Sequence, residues 1–250
     1  MNNLAAMKKY GLIGYPLKNT FSVNYFTTLF AELQLHHYQY SNYAIENIED
    51  ILELIQDEKL SGFNVTIPYK QAIIPFLNTL DDSAKEAGAV NCVKINNNNE
   101  VIGFNTDVYG FQHSIQKMLK PWHQHALILG DGGASKAVEY AFKNLGITTT
   151  IVSRKPDAII SYSDIDKACI RSHQVIVNCT PVGMYPNTDE CIDIPYDYLT
   201  DMHLVFDLIY LPEQTLFLNK AKHHGAVIKN GLEMLHLQAQ KSWEIWNENK

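Results

Sequence analysis

Short β-rich runs alternate with helical patterns along almost the whole chain, and this alternation leaves few folds open. GLIG at 11–14 precedes a helical stretch over about 22–35. YQYSNYAI precedes a stretch in which Ile48, Ile51, Leu52 and Ile55 keep the i, i+3, i+4, i+7 spacing of one helix face. GFNVTI is a strand candidate, with a further helix starting near Lys70. A second series opens near Thr106. It begins with a helix over 108–119 that ends before Pro121, then the strand HALILG and the helix GGASKAVEYAFKNLG, closed by Gly146. TTTIVS, VIVNC, LVFDLIY and AVIK follow as strands, and a last helix over about 231–249 carries Leu232, Leu235 and Ala239 on one face. Such strand–helix order implies parallel strands covered by helices. VNCVKI and VIGFN, which flank the polar residues 96–99, read instead as a hairpin. The expected fold is an α/β, two-domain α/β sandwich. Residues 1–105 form one domain and 106–231 a Rossmann-type domain, and the helix over 232–250 returns to the first.

Composition narrows the partners. With 46% hydrophobic and 19% charged residues, the chain has the means to build a core. Its net charge of −7 argues against nucleic acid, which requires a basic face, and against an anionic membrane surface. Eighteen of its twenty basic residues are lysines; Arg154 and Arg171 are the only arginines. No run of 18 apolar residues occurs, and the most apolar segment, 204–211, is interrupted by Asp207. The N-terminus has no secretory pattern, and the four cysteines show no CxxC spacing. Free thiols and a cytoplasmic location are expected. The histidines make no HExxH or Cys/His ligand pattern, so no metal is expected and they read as surface or loop residues.

The strongest local signal is a glycine turn. Leu127-Ile-Leu129 runs directly into Gly130-Asp-Gly132-Gly133-Ala134-Ser135 and then into a helix, the context a dinucleotide fingerprint requires. Gly130 makes the tight turn, Gly132 lets backbone approach a pyrophosphate, and the helix N-terminus offers N–H donors. The third glycine position holds Ser135, so the match is partial, and a simple turn with a helix cap is the competing reading. Asp131 fits a diphosphate poorly unless its side chain points to solvent. An acid after the next strand suits the ribose of NAD, whereas an arginine suits the 2′-phosphate of NADP. Here that strand ends in Ser153-Arg154-Lys155, with Arg154 standing 24 residues after Gly130, which favours NADP over NAD.

Two further residues suit carbonyl chemistry. Asn64-Val-Thr66-Ile-Pro-Tyr-Lys70 places a lysine just past a strand, and Thr106-Asp107 lies at the domain boundary, where a cleft is expected. Burial lowers a lysine's pKa, a carboxylate tunes it, and such a pair can relay a proton to or from a reacting oxygen. By spacing alone, each is more often a solvated surface charge.

Several motifs together resemble the shikimate dehydrogenase family. Gly14-Tyr-Pro-Leu-Lys-Asn-Thr20-Phe-Ser22 is similar to its N-terminal pattern, and residues 64–70 to NVTxPxK. Gly88-Ala-Val-Asn91 matches GAVN, 103–110 matches GxNTDxxG, and 130–135 matches GxGGAS. Asn178-Cys-Thr-Pro-Val-Gly-Met184 and 231–238 match NxTPxGM and GxxMLxxQ. The seven motifs stand in family order and cover nearly the whole chain. The resemblance implies NADPH-dependent reduction of 3-dehydroshikimate to shikimate, on the route to chorismate and aromatic amino acids. It implies an N-terminal substrate-binding domain, joined by the last helix, and a dinucleotide-binding middle domain. Lys70 and Asp107 become the catalytic pair. Thr20 and Ser22 become hydroxyl donors to the substrate carboxylate, and Thr66, Asn91, Tyr210 and Gln238 partners of ring hydroxyls. The cofactor falls to Gly130, Gly132, Gly133, Ala134, Ser135, Ser153, Arg154 and Lys155, with Thr180 near the ribose and Leu208 and Gly231 near the nicotinamide. A small-molecule substrate and a monomer or homodimer are expected.

The chain departs from the family at three places. Asn19-Thr20 stands where the family usually has His-Ser, Val23 where it has Pro, and Ser153-Arg154-Lys155 where it often has Asn-Arg-Thr. A quinate/shikimate dehydrogenase using NAD or NADP is the nearest alternative. A ligand-sensing homologue is disfavoured because Lys70 and Asp107 are both present.

Overall fold

A computed structural model describes residues 6–17, 21–155 and 160–248. The chain divides into two compact units, one of residues 1–106 with 239–250 and the other of 107–238.

The first unit contains β1 (Lys8–Gly14), α1 (Phe21–Glu32), β2 (Tyr38–Ala44), α2 (Ile51–Glu58), β3 (Leu60–Val65), the short β4 (Thr79–Leu80), α3 (Asp82–Ala87), β5 (Cys92–Ile95) and β6 (Val101–Phe104). The strands form one sheet in the order β2-β1-β3-β5-β6-β4. β1 lies parallel to β2 and β3, whereas β5 runs antiparallel to both β3 and β6. The sheet is thus mixed, and the expectation of parallel strands holds only for part of it. The antiparallel pair is the anticipated hairpin. At its turn the Asn96 carboxamide oxygen accepts from the N–H groups of Asn98 and Glu100, at 2.9 and 3.0 Å. Asn99 takes a positive φ of 60°, which asparagine tolerates.

Side chains alternate across a strand, so β1 feeds two cores. Tyr10 and Leu12 join Phe26, Phe30, Tyr40, Ile245 and Trp246 on one face, while Ile13 joins Ile51, Phe63, Val65 and Ile73 on the other. Helix α1 ends three residues before its apolar pattern does. Gln34 turns left-handed at φ 55°, and the Leu35 N–H closes the helix by bonding the Phe30 carbonyl at 2.8 Å. Of the face read from the sequence, Ile48, Ile51 and Ile55 reach the core, and only Leu52 does not. A 3₁₀ turn at Ile48–Asp50 precedes the helix, which then counts i+3 and i+4 from Ile51. Leu54 and Ile55 therefore reach the core, and Leu52 is left 46% exposed. The α-helix expected to start near Lys70 does not form. The Ile73 N–H bonds the Tyr69 carbonyl in a single turn that passes into a 3₁₀ turn at Ile74–Phe76, because Pro75 has no N–H with which to continue a helix.

The second unit contains α4 (Thr106–Ile115, from Asp107 on), β7 (His125–Leu129), α5 (Gly133–Asn144), β8 (Thr148–Val152), α6 (Lys167–Ser172), β9 (Val175–Asn178), β10 (Leu204–Asp207), α7 (Leu216–His223), β11 (Val227–Lys229) and the first turns of α8 (Leu232–Asn247). Its sheet is parallel throughout, in the order β11-β10-β9-β7-β8. From β7 the chain steps first to one side and then to the other. This creates a topological switch point between β7 and β9, and in such sheets ligands bind beyond the carboxyl ends of the strands at that point. The central strands are buried on both faces, as their near-continuous apolar runs require.

Helix α8 runs on into the first unit from Ala239. Trp246 donates from its indole Nε1 to the Val93 carbonyl at 2.9 Å. A Cβ on Gly62 would stand 2.6 Å from that nitrogen, so only glycine lets the indole settle on β3. Met234 and Ala239 are buried along α8, whereas Leu232 is exposed, contrary to the face read from the sequence. Among the described residues no helix is long and apolar enough to cross a membrane.

Candidate active site

In the first unit, the motif residues at the strand ends are joined by a buried network of neutral polar groups. The Tyr40 hydroxyl, which also bonds Ser22, donates to the Asn64 carboxamide oxygen at 2.9 Å. The Asn64 amide donates in turn to the Asn91 carbonyl (3.1 Å) and to Ser242 Oγ of α8 (2.9 Å). The Asn91 carboxamide oxygen accepts from the Thr106 N–H at 2.7 Å and from its hydroxyl at 3.1 Å. These bonds tie together the segments around Ser22, Tyr40, Asn64, Asn91, Thr106 and Ser242. They also orient Asn91, whose carboxamide oxygen is turned toward Thr106, so that its NH₂ end is directed away from that bond. Burial pushes the Tyr40 hydroxyl well above its ordinary pKa, keeping the network uncharged.

Of the expected substrate residues, Ser22 and Asn91 belong to this network through Tyr40 and Asn64. Thr66 sits just past β3, where its N–H bonds the Ile13 carbonyl at 2.9 Å. A Cβ on Gly14 would come within 2.5 Å of the Thr66 methyl, so glycine there lets the two segments meet. Lys70 lies in the turn after β3, half-buried, with its carbonyl accepting from the Val90 N–H at 2.7 Å. Thr20 lies outside the described residues. Sequence reasoning missed Tyr40, Asn64 and Ser242 as parts of the site. Only Asn64 carried a signal, as the first residue of NVTIPYK.

In the second unit, Asp107 is buried in the first turn of α4. The glycine turn stands at the carboxyl end of β7. Gly130 adopts φ +103°, and a Cβ there would approach the Thr180 methyl to 2.8 Å. Gly132 is the N-cap of α5 without a side-chain cap, and nothing lies within 4 Å of its Cβ position. Backbone N–H groups of Gly133, Ala134 and Ser135 thus open the helix on an uncrowded turn, the shape and polarity a diphosphate needs. The Ser135 hydroxyl is directed to the Gly132 carbonyl at 2.6 Å, so it shapes the turn in place of a third glycine.

Beside the turn, Ser153 Oγ accepts from the Lys155 N–H at 3.1 Å, and Arg154 is exposed. Asp131 does not simply point to solvent. Its carboxylate meets the Lys155 ammonium at 2.6 Å, and this bond holds its pKa below the usual carboxylate range.

Thr180, Leu208 and Gly231 converge on a second buried network, centred on a carboxylate. Asp207, wholly buried at the end of β10, accepts from Asn178 Nδ2 (3.0 Å), the Ile209 N–H (3.0 Å) and the Thr215 hydroxyl (2.6 Å). The Asn178 oxygen accepts from the Thr180 N–H and hydroxyl at 2.8 and 2.7 Å, and its carbonyl from the Leu208 N–H at 3.0 Å. The Gly231 N–H bonds the Ile209 carbonyl at 3.1 Å, and a Cβ on Gly231 would collide with the Leu208 carbonyl. Burial pushes Asp207 up to about 6, although its three hydrogen bonds oppose the shift. Tyr210 is partly exposed, with its pKa raised by burial, and Gln238 donates to the Leu235 carbonyl at 2.9 Å. The structure therefore brings Gly130 to Thr180 and Leu208 to Gly231, and it groups Ser153 with Lys155. The role of Asp207 was missed; the sequence marked it only as a break in an apolar run.

Among the described residues no cluster of His, Cys, Asp or Glu could hold a metal, and the four cysteines are free. His123 is a loop residue, as expected, but not a surface one. It is buried, its Nε2 lying 3.1 Å from the Met202 carbonyl, and it closes the turn before β7.

Residues 12–93 match the shikimate dehydrogenase substrate binding domain. The chain is 35% identical to the shikimate dehydrogenase (NADP(+)) of Clostridium beijerinckii, over 97% of this chain and 93% of that protein. It superposes with a TM-score of 0.87 on Listeria monocytogenes shikimate 5-dehydrogenase in complex with shikimate and NAD, at 26% identity over 98% and 93% of the two chains. The Thermus thermophilus shikimate 5-dehydrogenase in complex with NADP(H) and shikimate gives a TM-score of 0.84, at 26% identity over 96% and 94%.

Proposed function

The chain belongs to the shikimate dehydrogenase family, and from that premise we propose that it catalyses the reversible, NADPH-dependent reduction of 3-dehydroshikimate to shikimate. One observation carries this reading. A chain that matches a named NADP(+) shikimate dehydrogenase over 97% of its length keeps Lys70 and Asp107 within NVTIPYK and NTD. The first unit takes the substrate and the second the cofactor. Ser22, with Thr20, receives the substrate carboxylate. Thr66, Asn91, Tyr210 and Gln238 bind the ring hydroxyls, and a site built for hydroxyls rejects analogues that lack them. The glycine turn and the start of α5 receive the diphosphate, Arg154 the 2′-phosphate, and Thr180, Leu208 and Gly231 the nicotinamide half. When bound, the cofactor supplies or accepts the hydride.

Lys70 and Asp107 manage the proton at the reacting oxygen. An ammonium at that oxygen stabilises the negative charge that develops on it, and a carboxylate suits the relay of the proton. Replacing Lys70 with Ala is expected to lower turnover by ~10²–10⁴ with a smaller change in shikimate KM. Near-normal turnover would remove Lys70 from this role. A quinate-active enzyme accepting NAD is the second reading, favoured by Asn19-Thr20 and by the NAD in the Listeria complex. The free cysteines fit a cytoplasmic setting.

A further inference from the structure

The glycine turn carries an acid, Asp131, at the place where a cofactor's negative groups arrive. Strands β7 and β8 are parallel neighbours in register, Leu129 opposite Val152, and the Gly130 N–H bonds the Val152 carbonyl at 2.8 Å. This register sets the loop after β7 beside the loop after β8. The Asp131 carboxylate, one-third exposed, accordingly reaches the more exposed Lys155 ammonium at 2.6 Å and also bonds Ser153. In this fold the loop after β8 distinguishes the two cofactors, and an acid there favours an unphosphorylated ribose. This chain has no acid within Ser153-Arg154-Lys155, yet the neighbouring loop supplies one.

We propose that Asp131 is a cofactor-discriminating residue that neutralises Lys155 and places a negative charge beside the 2′-phosphate subsite, weakening the preference for NADP over NAD. The proposal rests on the reading of Arg154 as the 2′-phosphate partner. One of two adjacent cations is occupied by an internal carboxylate, and a 2′-phosphate must compete with that carboxylate for it. An unphosphorylated ribose meets no such competition.

Calorimetric titration of the purified full chain tests this without catalysis, with 2′,5′-ADP and 5′-ADP as probes. Asp131→Asn is expected to tighten 2′,5′-ADP about tenfold while 5′-ADP changes less than about twofold, since a carboxylate and a phosphate dianion repel by about that factor at a few ångströms in water. Asp131→Ala should behave alike, and the gain should shrink in 1 M salt. An unchanged or reduced ratio of the two affinities in both variants overturns the proposal. A reduced ratio would mean that Asp131 holds Lys155 ready for the phosphate. The wild-type ratio speaks separately to Arg154: no preference for 2′,5′-ADP in the wild type and in Asp131→Asn alike would sink the NADP reading of that loop as well.

Discussion

The two units bury polar groups in contrasting ways. In the first, every member of the Tyr40–Asn64–Asn91–Thr106–Ser242 network is a neutral amide or hydroxyl. In the second, the corresponding centre is a carboxylate, Asp207, with three donors from three segments. A neutral network holds its geometry over a wide pH range. A buried carboxylate accepts stronger hydrogen bonds but carries a desolvation cost that depends on pH. The network of the first unit is thus indifferent to pH, and that of the second contains one titrating group.

The contrast can be broken most severely at Asp207. Asp207→Ala leaves donors from Asn178, Ile209 and Thr215 without an acceptor and is expected to cost about 3–5 kcal/mol, read as a large drop in thermal midpoint. Asp207→Asn preserves the shape and separates charge from packing. The folded pKa of Asp207, about 6, lies above its ordinary 3.8. The stability this group contributes is therefore complete below about pH 3.8 and is lost as pH rises through 6. Between pH 4 and 6.5 the wild type should lose about 2 kcal/mol relative to Asp207→Asn in paired denaturant titrations. A difference that stays flat over this range would show that Asp207 titrates normally. Asn64→Ala, in the neutral network, is expected to cost about 2 kcal/mol, because Tyr40 and Ser242 lose a partner at once. That cost should be the same at pH 5 and pH 8. A pH-dependent cost would erase the contrast between the units.

What could be read from the sequence was local. The GDGG turn, the 96–99 hairpin and the strand runs all follow from neighbouring residues. Helices α3 and α6, of six residues each, are too short for a periodic pattern to register, and α7 begins at a side-chain cap, Thr215, that stands among loop residues. Leu52 and Leu232 were assigned to buried faces on periodicity, but the phase of a helix is set by what it packs against. The networks were out of reach for a different reason. The Asn64–Ser242 bond spans 178 residues, and the Asp131–Lys155 pair depends on two loops being neighbours in a sheet. The motif residues, Asn64 and Asn178 among them, were visible, while their bonds to Tyr40, Ser242 and Asp207 emerge only once strand order is known.

The central claim, an NADP-dependent shikimate dehydrogenase, meets its most direct test in initial rates of the purified chain with shikimate or quinate and NADP⁺ or NAD⁺. The account predicts that shikimate with NADP⁺ has the highest kcat/KM of the four combinations. Turnover of quinate above shikimate, or a wide preference for NAD⁺, would contradict it.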